Sequence, residues 1–122
     1  MFDHEKLNVY QVQLQVVGWV DQLLEEVKGN APAKTREVRN QLDRASLSVL
    51  LNVAEGNGKR QRRTRAKSFD DARGETSESA ACLDALVAKQ VCEKERVREG
   101  KELLERVYAM LTKLIDRFES DD

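Results

Sequence analysis

Apolar residues recur at three- and four-residue intervals along almost the whole chain, and the few breaks in that rhythm divide it into four segments. Leu7, Tyr10, Leu14, Val17 and Leu24, flanked by Val16, Val20, Leu23 and Val27, predict an amphipathic helix over residues 3–28. Gly29-Asn30-Ala31-Pro32 ends it: the glycine suits a left-handed C-cap, and the proline cannot continue the hydrogen-bond ladder. A second helix is predicted over 33–55, with Val38, Leu42, Ala45, Val49 and Val53 on one stripe and Gly56 as its C-cap. The third, over 62–91, is rich in small residues such as Ala66, Ser68, Ala72, Gly74, Ser79 and Ala80, which let helix axes approach closely. Phe69, Leu83, Leu86 and Val87 supply its bulk. The fourth, over 94–119, sets Val97, Leu104, Val107, Leu111, Leu114 and Phe118 near heptad spacing, with Gly100 on the same seam.

Nothing local marks the boundary between the third and fourth helices. A break near Val91–Glu93 is still required, because an unbroken helix from Arg62 to Glu119 would run about 87 Å at 1.5 Å per residue. The tail Glu119-Ser120-Asp121-Asp122 is expected to fray. The fold class that follows is all-α, an up-down-up-down four-helix bundle forming one domain of 122 residues. Composition agrees: charged residues reach 35%, aromatics only 5%, and there is a single proline. The apolar runs fall far short of the roughly 20 residues a membrane span needs, and the N-terminus has no signal-peptide pattern, so a soluble, cytoplasmic protein is expected.

The second helix carries more apolar surface than one face of a small bundle requires. Leu47, Leu50, Leu51 and Ala54 form a further stripe displaced around it. Burying three leucines stabilises by roughly 1.5 to 3 kcal/mol each, comparable in sum with the net stability of a whole domain. That stripe predicts a subunit interface and a homo-oligomer; burial of a central helix on both sides within one protomer is the alternative.

Charge changes the picture again. The formal net charge is only −1, yet Lys34 to Lys67 holds ten basic residues against three acidic ones, a segment of +7 in a chain whose remainder is −8. Such asymmetry points to an anionic partner. The densest part is Lys59, Arg60, Arg62, Arg63, Arg65 and Lys67, set where one helix ends and the next begins. Arginine forks bind phosphate oxygens bidentately, and the dipole of the third helix adds positive potential there. No aromatic residue interleaves with the run, so contact with RNA or DNA backbones is expected rather than base stacking. The bland alternative is a solvated charge run that keeps the protein soluble or pairs with another subunit's acidic helices.

Other chemistry is poorly supported. Gly56-Asn57-Gly58-Lys59 is not a phosphate loop: no strand precedes it, and Arg60 stands where Ser or Thr would hold magnesium. Asp71, Glu75 and Glu78 share a helical face, but a bundle di-metal site needs Glu-x-x-His pairs and His4 is the sole histidine. No metal, cofactor or catalytic residue is therefore assigned, and the chain is expected not to be an enzyme. Cys82 and Cys92 are read as small thiols without a disulfide, since their Cα atoms would lie about 15 Å apart on a helix. Ser46 and Asn52, close to the apolar stripes, are expected to pin helix register through hydrogen bonds.

At Gln41-Leu42-x-Arg44-Ala45-Ser46-x-Ser48-Val49 and Asn52-Val53-Ala54-Glu55-Gly56-x-Gly58-Lys59-Arg60, the chain resembles the bacterial four-helix bundle proteins of the 23S rRNA intervening-sequence family. The resemblance continues through Phe69-x-x-Ala72-Arg73-Gly74-x-x-x-Glu78-x-x-Ala81-x-Leu83-Asp84 and covers Phe2, Leu7, Val9 and Tyr10 at the start. It implies an up-down bundle, a ring-shaped homopentamer, and kinship with the accessory variability determinant of diversity-generating retroelements, which assists a reverse transcriptase and binds nucleic acid. The basic run here is longer than the family's usual one, and the frequent Leu-Gly-Tyr-like break after Leu86 is missing. Two functions compete: a homo-oligomeric scaffold binding nucleic-acid backbones, and an adaptor whose basic segment docks a reverse transcriptase or another acidic partner.

Overall fold

A computed structural model describes residues 1–119; the acidic end of the chain from Ser120 onward lies outside the described residues. Four helices make up nearly all of it: α1 (Asn8–Asn30), α2 (Pro32–Asn57), α3 (Arg62–Ala88) and α4 (Lys94–Glu119), with a single 3₁₀ turn at Asp3–Lys6 ahead of α1. Each helix packs on its neighbours in sequence and α4 closes back on α1, with no diagonal packing among the described residues. Polar ties fix the directions. Asp3 of the 3₁₀ turn meets Asn57 of α2, Gln13 meets Ser46 across α1 and α2, Gln41 meets Glu78 across α2 and α3, and Asp84 meets Lys101 across α3 and α4. Residue numbers rise on one helix as they fall on the next, so the bundle is all-α and up-down-up-down. Among the described residues, no helix is long and apolar enough to cross a membrane.

The core runs the length of the bundle through Val16, Leu23, Leu42, Val49, Val53, Phe69, Leu83, Leu86, Val107 and Leu111, all fully buried. α2 and α4 present the stripes their sequences predict. α1 does not: its buried seam is Val9, Val12, Val16, Trp19, Val20, Leu23 and Val27, whereas Leu14 is exposed and Val17 and Leu24 are half-buried. Both sets share the same helical period, so periodicity cannot choose between them. Trp19 decides it, because its ring seats against Gly100 of α4, where a Cβ would lie 2.7 Å from Cε3 and nearer still to Cζ3 and Cη2.

Helix ends differ from expectation for local reasons. α1 continues through Gly29, no glycine takes positive φ, and the reversal is made by Ala31 at φ −153°, ψ 70°. Pro32 then opens α2 at its first position, where its missing N–H costs nothing. α2 also runs past Gly56 to Asn57. Gly56 is buried instead, with space for a Cβ closed off by Ser68 Cβ at 2.8 Å and Phe69 Cε1 at 3.1 Å, so it lets the end of α2 approach α3. The third helix stops at Ala88. Gln90 at φ 61° takes the left-handed position, and Val91 N–H donates to Leu86 O (3.2 Å), a Schellman closure with Gln where Gly or Asn is usual.

The polar pin between α1 and α2 is Gln13, wholly buried, whose Nε2 donates to Ser46 O (2.9 Å) while Oε1 accepts from no protein group. Asn52 and the Ser46 hydroxyl bond only within α2, to Ser48 Oγ and Asp43 O. Cys82 and Cys92 are free thiols, and burial pushes both above the ordinary thiol range.

Candidate nucleic-acid interface

The up-down order gathers the start of α1, the end of α2, the start of α3 and the end of α4 at one end of the bundle. The six basic positions from Lys59 to Lys67 belong to this end, and the fold gives them three different situations. Lys59, in the connecting loop, pairs back with Glu55 of α2 (3.4 Å), and Lys67 pairs with Asp71 along α3 (3.1 Å). Arg62 and Arg65 are tied inward: Arg62 Nη2 donates to Arg117 O at the end of α4, and Arg65 Nε donates to Lys59 O (2.6 Å), closing the connecting loop. Among the described residues, Arg60 and Arg63 make neither a salt bridge nor a hydrogen bond from their side chains, and both are exposed.

Phe118 of α4 organises the cluster. The guanidinium carbons of Arg62, Arg65 and Arg117 lie 5.2, 5.2 and 5.4 Å from its ring centroid, and the ring itself tilts against Phe69 at 5.9 Å. Each such cation–π contact stabilises by roughly 0.5 to 1 kcal/mol at an exposed site. Arg117 and Phe118 could not be assigned to this site from the run alone, because they lie fifty or more positions away; the closure of α3 on α4 brings them in. α3 has no acidic residue in its first turn and no side-chain cap. Cations therefore stand at the positive end of a helix dipole, a placement that an anion would relieve.

A model of the family described as 23S rRNA-intervening sequence protein matches residues 5–113. The chain belongs to that family. A search of the curated proteins finds no match. The 23S rRNA-intervening sequence proteins are small helical proteins of unclear function rather than a known enzyme family, and the match covers α1, α2, α3 and most of α4.

Within this family member, the second predicted site divides as well. Leu47 and Leu51 are 46% and 58% exposed on the outer face of α2, while Leu50 and Ala54 are half-buried against the bundle. Leu14 of α1, 41% exposed, lies at the same level, since its neighbour Gln13 bonds the residue preceding Leu47. The acidic face of α3 is engaged in part: Glu78 accepts from Gln41 Nε2 (2.8 Å), and Asp71 pairs with Lys67. Glu75 has its carboxyl pushed above the usual range, chiefly by burial and next by a hydrogen bond with Glu78. Among the described residues, no group of three or more His, Cys, Asp or Glu side chains is arranged to hold a metal ion.

Proposed function

We propose that this chain is a non-enzymatic, homo-oligomeric helical scaffold that binds nucleic-acid backbones through the basic end of its bundle. One observation carries it: Arg60 and Arg63 stand unpaired among the described residues beside a preorganised cluster of Arg62, Arg65 and Arg117, at a helix start without a carboxylate. Paired cations would suit a solvated surface; unpaired ones at this density suit phosphate. Arg62 and Arg65 hold the frame, and Arg60 and Arg63 bind the phosphates. Exposed Leu47, Leu51 and Leu14 support self-association, and the pentamer implied by the resemblance would be a closed ring of one repeated interface. Cyclic symmetry would then set every basic end on the same face.

The test follows from that division of labour. Charge reversal of Arg62, Arg63 and Arg65 together would also release α4 from α3, so Arg60→Glu with Arg63→Glu is the cleaner variant. Binding of RNA and DNA to the wild-type protein is expected to fall steeply with salt. The double variant is expected to lower affinity on every sequence and to flatten the salt slope by about one for each phosphate that is no longer neutralised. Absence of binding at low salt, or a double variant that binds as well as wild type, would retire this function. Saturable binding of a protein partner that survives moderate salt would favour the adaptor, including one for a reverse transcriptase.

A further inference from the structure

The basic run contains no aromatic residue, but the fold delivers aromatic rings to it from the start of the chain. Asp3 Oδ2 accepts from Asn57 Nδ2 at 2.9 Å, which fastens the 3₁₀ turn to the last residue of α2, directly before the loop that carries Lys59 and Arg60. On that turn Phe2 and His4 stack, with ring centroids 5.7 Å apart and planes 14° from parallel, and His4 rests on Tyr10 at 4.7 Å. Phe2 remains 74% exposed. The backbone beneath it is tied: the Phe2 N–H donates to Glu5 Oε2 at 2.5 Å and the Glu5 N–H donates to Phe2 O at 3.1 Å, while the ring itself leans on His4. The two carboxylates of the turn are thereby engaged, Asp3 with Asn57 and Glu5 with Phe2.

We infer that Phe2, backed by His4, is a stacking platform for an unpaired base of single-stranded nucleic acid whose phosphates lie on Arg60 and Arg63. This rests on the nucleic-acid reading and adds a class of substrate to it. A flat, exposed, prepositioned ring offers a face to any base, and the cations three to six residues beyond Asn57 suit the backbone on either side of that base. A duplex has its bases paired and offers only phosphates. Charge complementarity decides the occupant: Arg60 and Arg63, exposed and unpaired among the described residues, adjoin the turn that the Asp3–Asn57 bond fastens to the end of α2, and both carboxylates of that turn are already engaged.

The experiment compares random-sequence single strands with long duplexes at one salt concentration, for wild type, Phe2→Ala, Phe2→Leu and Phe2→Trp. Phe2→Ala and Phe2→Leu are expected to weaken single-strand binding about tenfold or more while leaving duplex binding within about twofold. Phe2→Trp is expected to retain single-strand affinity, with indole fluorescence quenched on binding. Equal losses on single strands and duplexes, a Phe2→Leu variant as good as wild type, or a change in subunit number with Phe2→Ala would each overturn the platform while leaving backbone binding in place. Wild-type protein that binds neither form would overturn both.

Discussion

Trp19 and Gly100 show how one pair of residues sets the register of a bundle. The indole fills the space a side chain at 100 would need, Arg96 lies 5.3 Å over its ring, and Glu26 grips that guanidinium in a fork at 2.7 and 2.9 Å. The same fork holds the Glu26 carboxyl below its usual range. Gly100→Ala is therefore expected to destabilise the fold by at least about 1 to 3 kcal/mol, since the clash is with a ring wedged between two helices rather than with a mobile tip. Thermal unfolding followed by circular dichroism reads this, and Trp19→Leu in the Gly100→Ala background should recover part of the loss. A Gly100→Ala protein melting with wild type would show that α1 and α4 separate easily. The heptad seam of α4 made Gly100 legible as a core position, but not its partner: the pair joins residues 81 positions apart, and α1 has two apolar stripes of the same period.

At the scale of elements, α3 combines the smallest packing residues with a crowded acidic face. Glu75 is half-buried beside Glu78 and Asp71, with Arg44 the cation acting against them, so its folded-state pKa lies above the unfolded value. The sign follows from the proton. The folded chain holds it more tightly than the unfolded chain, so ionised Glu75 weakens the fold above its folded pKa, and that penalty is relieved as pH falls toward the unfolded value. Glu75→Gln is expected to raise the melting temperature by a few degrees at neutral pH and to have no effect near pH 4, where both states are largely protonated. A constant difference across that range would assign the effect to packing. Helix existence was legible here from period alone, whereas helix ends were not. Gly29 and Gly56 are strong stop signals that the helices pass through, one because Ala31 makes the turn and the other because α3 needs the space. The stop that matters falls on Gln90, a residue with no such signal.

Over the whole molecule, the proposed function would join charge segregation to spare apolar surface, because a weak cationic site gains most from repetition. The basic run was legible as a place, yet which of its cations face outward depended on the end of α4, which takes Arg62 and Arg65 for itself. Of the stripe expected to meet a second copy, Leu47 and Leu51 stay exposed, whereas the bundle half covers Leu50 and Ala54. Leu47→Asp with Leu51→Asp tests whether repetition is what makes the site effective. Both positions are solvent-facing, so the helical content and melting profile of the protomer should persist, while the sedimenting mass should fall to that of a single 13.9 kDa chain. Affinity for a short oligonucleotide, which engages one basic end, should then be unchanged. Affinity for a strand long enough to cross several subunits should drop by a factor on the order of 10² to 10⁴, the gain that linked sites confer. An intact oligomer in the double variant would move the subunit interface elsewhere, and a monomer that binds long strands as tightly as wild type would mean that each basic end acts alone.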